Sequence, residues 1–294
     1  MKQFLRVFFS CILCLFLAIF TFADKFSDYA IHTILNPGFL VESAEKSGYA
    51  QQVYDEIVYE WENLLSITGV ETPEDIMVIL TPELVEKDAL GYISDSTKGT
   101  AALDTKELRT ALNGKVRNYA YSHNIYATPT EELEQNISDL VDACMDEYES
   151  AITVPMLPRI LGLIYGYTSF IPTIILISAV GYILILLFLF FLQTKREKIF
   201  YYMSISTATS AVIFVAIPRL AAHYDIVNRI PFAESSLRTL IATYLQDLLD
   251  EMAQQGGSFL QRAAVILGLF IVIAVIFELI MHYRNKKAQE KISE

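Results

Sequence analysis

Four stretches of the chain are apolar almost without interruption: 7–23, 170–192, 199–217 and 263–281. Each is close to the roughly 20 residues with which a helix crosses about 30 Å of hydrocarbon. Between the first and second stretches the pattern changes. Apolar residues there recur at threes and fours, the period of a helix with one covered face. Val53, Ile57, Val58, Trp61, Leu64 and Leu65 form one such stripe, and Leu133, Ile137, Leu140, Val141, Cys144 and Tyr148 another. Leu84, Val85, Leu90 and Ile93 define a third, and Leu108, Leu112 and Val116 a fourth. No run alternates apolar and polar residues long enough to argue for a sheet. The pattern predicts an all-α chain, a four-pass helical membrane protein with an all-α extracytoplasmic domain. That domain is read as about five or six short helices between residues 27 and 150.

Helix starts support this reading. Thr72-Pro73-Glu74-Asp75, Thr81-Pro82-Glu83 and Thr128-Pro129-Thr130-Glu131 each combine a capping oxygen, a proline at the first helical position and a carboxylate near the positive helix end. Thr128 with Glu131, and Asp104 with Glu107, also fit capping boxes. Asn36-Pro37-Gly38, Ser47-Gly48, Thr68-Gly69 and Lys98-Gly99 read as loops, and Asn113-Gly114 as a break in a helical pattern. Asn136-Ile137-Ser138 is a glycosylation sequon, but its mid-helix place makes it an accidental match.

A second polar segment, "ESSLRTLIATYLQDLLDEMAQQGG", predicts an amphipathic helix ended by Gly256-Gly257. Leu237, Leu240, Ile241, Tyr244, Leu248 and Met252 share its apolar stripe, with Leu245 and Leu249 beside them, and form the candidate docking face. The opposite side carries Asp247, Asp250 and Glu251, where a helix lying on lipid has Lys and Arg. Docking on the large polar domain, or on a partner, is therefore expected, joining 24–169 and 230–257 into one folded unit.

Charge sets the orientation. Lys195, Arg196 and Lys198 occupy a turn of a few residues; Lys2 and Arg6 precede the first apolar stretch, and Arg284, Lys286, Lys287 and Lys291 follow the last. Short basic loops stay in the cytoplasm, so three clusters agree on both termini inside. The division expected is a signal-anchor or first membrane helix over 1–23, an extracytoplasmic helical domain over 24–169 and a second membrane helix over 170–192. A cytoplasmic turn over 193–198 and a third membrane helix over 199–219 follow. An outer segment over 220–261, a fourth membrane helix over 262–282 and a cytoplasmic tail over 283–294 complete it. Thr21-Phe22-Ala23 before Asp24 also suits signal-peptide cleavage, although the apolar run is longer than a usual signal core and favours retention. Residues 24–169 hold 25 Asp and Glu against 9 Lys and Arg, a net of −16, while the whole chain stands at −12. An acidic domain of this kind repels nucleic acid; the carboxylates keep an exported domain soluble.

Catalytic signatures are missing from the sequence. His32, His123, His223 and His282 have no partner at ligand spacing, and no HExxH, CxxC, GxSxG or phosphate-binding glycine loop occurs. Asp139, Asp142 and Asp146, with Glu147 and Glu149 beside them, crowd one helix, but a straight helix wraps a cation poorly. No cofactor and no metal are expected. Cys144 is the one thiol placed outside, on an apolar face, so no disulfide closes within the domain. Within the spans, ionisable residues fall near the ends: Glu278 at one, Arg219 and His223 at the other.

The phrases "LTPELVEKDALGYISD" (80–95) and "LDTKELRTAL" (103–112) resemble uncharacterised bacterial polytopic membrane proteins that carry a helical extracytoplasmic insert after the first span, a resemblance that implies no activity. In topology the chain also resembles FtsX-type division proteins, yet it lacks the amphipathic cytoplasmic segment with which those dock an ATPase. The expectation is a non-enzymatic membrane protein of the cell envelope whose acidic outer domain binds or senses an extracytoplasmic protein partner. The alternative is a transporter or channel subunit, motivated by the hydroxyl-rich "SISTATSA" of 204–211. Close helix packing is the plainer use of such small residues.

Overall fold

A computed structural model describes residues 2–122, 131–193, 198–229 and 235–293, and every regular element among them is helical. The chain divides into two compact units. One comprises Met1–Ile34, Thr168–Arg229 and Gln246–Glu294; the other comprises Leu35–Tyr167 and Ile230–Leu245.

The first unit is built from α1 (Lys2–Tyr29), α9 (Ile171–Leu192), α10 (Lys198–His223) and the greater part of α11 (Ser235–Ser293). These four helices are long and apolar enough to cross a membrane. Helix α1 runs unbroken past Ala23 and widens into a π-helical turn at Ala30–Ile34. Its Leu17 is fully buried with Ile185 and Leu189 of α9. Phe20 lies flat over Gly181, where a Cβ would meet the ring at 2.5 Å. Toward the other end, Phe22 and Tyr29 meet Phe214 of α10, and Phe214 meets Phe259 of α11 with ring centroids 5.3 Å apart. The Tyr29 hydroxyl donates to the Leu248 carbonyl at 2.7 Å.

Helix α11 departs from expectation. Gly256-Gly257 does not end it; the helix continues through both glycines into the apolar 263–281 stretch. The reason lies at Gly256, where an added Cβ would stand 2.9 Å from the Phe214 Cβ and 3.1 Å from the Val215 nitrogen of α10. Glycine is used here for close helix approach, not for a left-handed stop. Pro218 lies buried inside α10, five residues before its end.

The second unit is a helical body made of α2 (Pro37–Lys46), α3 (Tyr49–Ile67), α4 (Glu74–Met77), α5 (Pro82–Ser96), α6 (Lys106–Ser122), α7 (Glu131–Ile152), α8 (Leu157–Gly166) and the first turns of α11. The sequence stripes become its core: Val53, Ile57, Trp61 and Leu65 of α3 face Val141, Cys144, Met145 and Tyr148 of α7. The Trp61 indole donates to the Cys144 carbonyl at 2.7 Å, and the Tyr148 hydroxyl donates to Asp88 of α5 at 2.7 Å.

Several local expectations change. Asn36 caps α2, its side chain accepting from the Gly38 nitrogen at 3.0 Å, so this loop is a helix start. Thr81 caps α5 as expected. Thr72 instead donates to the Asp75 carboxylate at 2.9 Å, ahead of a helix of four residues. Asp104 accepts from the Lys106 nitrogen at 3.3 Å, and α6 starts there. Asn113-Gly114 does not break α6, because Leu112, Val116 and Tyr119 on either side are held in the core. Thr128, the capping residue expected before α7, His123, and the basic pair Lys195 and Arg196 fall outside the described residues.

A groove between α3, α6 and α7

Helices α6 and α7 are antiparallel neighbours tied along their length by side chains. Thr105 donates to Glu149 at 2.8 Å, Arg109 pairs with Asp142, and Arg117 pairs with Glu134, which also accepts from Tyr121 at 2.9 Å. The acidic crowding on α7 is thereby partly answered by α6, while Asp139 accepts from Gln135 at 2.7 Å on its own helix. No three His, Cys, Asp or Glu side chains converge on a metal-sized site among the described residues.

Where α6 and α7 lean on α3, the core stays open to solvent as a groove of about 460 Å³. Its floor is apolar: Val70, Val116, Ala120, Leu133 and Ile137 are buried there, and Leu64, Leu140 and Ala143 form half-covered walls. Polar groups stand at its rim, namely Thr68, Asn136 and Asp139. The Tyr119 ring lines one end, and its hydroxyl accepts from the backbone nitrogens of Glu71 at 2.8 Å and Thr72 at 3.4 Å, fixing the turn after α3. A concave apolar surface with a few polar groups at its edge is the usual form of a binding site. Among the described residues that line it, none provides a nucleophile beside a base. Asn136 of the sequon is exposed at this rim.

The sequence stripe did not expose the groove. Leu64 and Leu140 belong to the α3 and α7 stripes, which tell which face is apolar but not how fully neighbours cover it. Their positions at the stripe margins, beside Thr68 and Asp139, were the only hint.

The proposed docking face is divided. Leu237, Leu240 and Tyr244 join the core of the helical body, Tyr244 meeting Phe39 edge-on at 6.0 Å. Leu248 and Met252 instead pack with Tyr29, Phe214 and Phe259 in the other unit. Ile241 is half-buried. The expected single unit of 24–169 and 230–257 is therefore narrower at both ends, because one continuous stripe serves two cores in turn.

The hydroxyls of 204–211 hold helices together. Ser204 donates to the Ala263 carbonyl at 3.0 Å, Ser206 lies 3.5 Å from Thr21, and Ser210 reaches the carbonyls of Ser206 at 3.0 Å and Ala18 at 3.3 Å. Thr207 and Thr209 bond back to their own helix. Arg219, His223 and Glu278 are exposed on their helices. Cys144 is completely buried, and that burial, reinforced by Glu147, pushes its thiol up to about 12. Burial and the bond to Asp88 raise Tyr148 in the same direction.

No protein-family model, curated protein or solved structure matches this chain.

Proposed function

We propose that this chain is a non-enzymatic, multi-pass protein of the bacterial cell envelope. Its acidic helical body faces the extracytoplasmic side and binds or senses a protein partner through the groove between α3, α6 and α7. The groove carries this reading: an apolar floor left open where α6 and α7 lean on α3, in a body whose α3 and α7 stripes otherwise close against one another. An apolar floor with Asp139 at the rim suits a partner segment that presents apolar side chains flanked by a basic residue. The basic clusters at both ends of the chain and near Lys198 support both termini inside. Retention of the first helix is supported by Leu17 and Thr21, buried against α9 and α10 on both sides of the segment that cleavage would remove. The hydrogen bonds of Ser204, Ser206 and Ser210 to neighbouring helices favour packing over a conducting path, so the transporter reading is second.

The test is site-specific photo-crosslinking in native membranes, with a photoreactive residue replacing Leu140 or Thr68 and, as control, Glu86 on α5. One discrete adduct from the two groove positions, missing from the control, is expected. No adduct at either groove position would refute a groove-bound partner.

A further inference from the structure

Helix α8 is apolar on both sides. Leu157 and Leu161 on one side pack against the core of the body, and Gly162 approaches the Gly99 Cα so closely that a Cβ would meet it at 2.5 Å. The outward side is bare: Ile160 is 51% exposed and Leu163 65%, with Ile164 at its margin 39% exposed. Met156 and Tyr167, at its two ends, are 62% and 64% exposed. A helix on the surface of a water-soluble body normally turns polar residues outward, so an apolar outer face calls for a cover.

Chain connectivity names that cover. Only four residues separate Gly166 from Ile171, the first residue of α9, which is long and apolar enough to cross a membrane. Five Cα–Cα steps from Gly166 to Ile171 span at most about 18 Å, so the end of α8 is held within that distance of the first residue of α9. Tyr167 and Phe170, both exposed, lie in this link, where aromatic rings favour the headgroup level. Arg159 borders the bare face and is exposed; a long-stemmed cation beside apolar side chains suits a boundary between phosphate and acyl chains.

We propose that α8 is a membrane-interface helix, with Ile160, Leu163 and Ile164 inserted among the headgroups of the bilayer that α9 crosses. It rests on α9 as a span and not on the groove, so either proposal survives failure of the other. The helix holds to the lipid surface through apolar contact in place of charge attraction.

The test uses the full chain with Cys11 and Cys14 replaced by Ser, reconstituted in phosphatidylcholine–phosphatidylglycerol vesicles. Nitroxides are placed singly at Ile160→Cys, Leu163→Cys and Ile164→Cys, with Ile177→Cys as the lipid reference and Glu86→Cys as the aqueous one. Collision with oxygen should exceed collision with a water-soluble nickel chelate at the three α8 positions by at least threefold relative to Glu86→Cys. Equal or greater collision with nickel would put the face in water and overturn the proposal. Low collision with both would mean that protein, a second copy or another chain, covers it, and would overturn the proposal equally.

Discussion

Two adjacent glycines in α11 should respond to alanine with opposite signs. In a helix interior alanine is favoured over glycine by about 0.8–1 kcal/mol. At Gly257 nothing lies within 4 Å of an added Cβ, so Gly257→Ala should stabilise the bundle by about that amount. At Gly256 the same methyl meets Val215 Cγ2 at 2.8 Å, the Phe214 Cβ at 2.9 Å and the Val215 nitrogen at 3.1 Å. A backbone nitrogen cannot rotate away, so α10 and α11 must separate, at the typical overpacking cost of about 1–3 kcal/mol. The propensity gain offsets part of this, leaving Gly256→Ala destabilised by up to about 2 kcal/mol. The two variants should therefore differ by about 1–3 kcal/mol, larger than the error of an SDS titration followed by circular dichroism in mild detergent. Equal stabilisation by both would refute the close contact at Gly256. Destabilisation by both would mean that the helix stops at the pair, as a glycine cap.

Trp61 is the only tryptophan and is fully buried in the helical body, so its fluorescence follows unfolding of that body alone. By this readout, stability should fall as pH rises from about 9. The Cys144 thiol ionises near its ordinary value when unfolded but only at about 12 when folded, so the unfolded state binds fewer protons in this window. Cys144→Ala should flatten the fall between pH 9 and 11; an unchanged slope would mean that the thiol is not held neutral by burial. Gly162→Ala should lower stability by about 1–3 kcal/mol, since its Cβ meets backbone at Gly99, while Gly166→Ala, whose added Cβ meets no atom within 4 Å, should not. Equal thermal midpoints for these two variants would refute the α8 contact. In the bundle, replacing Ser206 and Ser210 together by Ala should cost about 1 kcal/mol, since interhelical hydrogen bonds in lipid average about 0.6 kcal/mol each. No change in the SDS titration would count against their packing role.

The stripes of α3 and α7 were legible in the sequence because burial on one face of a helix leaves a period that composition cannot hide. Thr81 was legible for a similar reason: a cap depends on three consecutive residues. What stayed hidden depends on contacts distant along the chain. Gly256 reads as a helix stop because a left-handed cap and a close approach both require a missing side chain. The stripe from Leu237 to Met252 reads as one docking face because its period is unbroken, although its two halves enter different cores. Helix α8 carries no cap and merges into the apolar run of α9, so its separate docking on Gly99 leaves no local mark. The groove is hidden most deeply, since periodicity gives the apolar width of α3, α6 and α7 but not the space left when three helices meet.

The claim on which the account turns is that the acidic helical body and the basic turn near Lys198 lie on opposite sides of the membrane. Single cysteines at Glu86→Cys and Lys198→Cys, in a chain with Cys11 and Cys14 replaced by Ser, can be exposed to a membrane-impermeant maleimide on intact spheroplasts. The account requires labelling of Glu86→Cys at once and of Lys198→Cys only after the membrane is opened. Immediate labelling of Lys198→Cys with Glu86→Cys protected would contradict it.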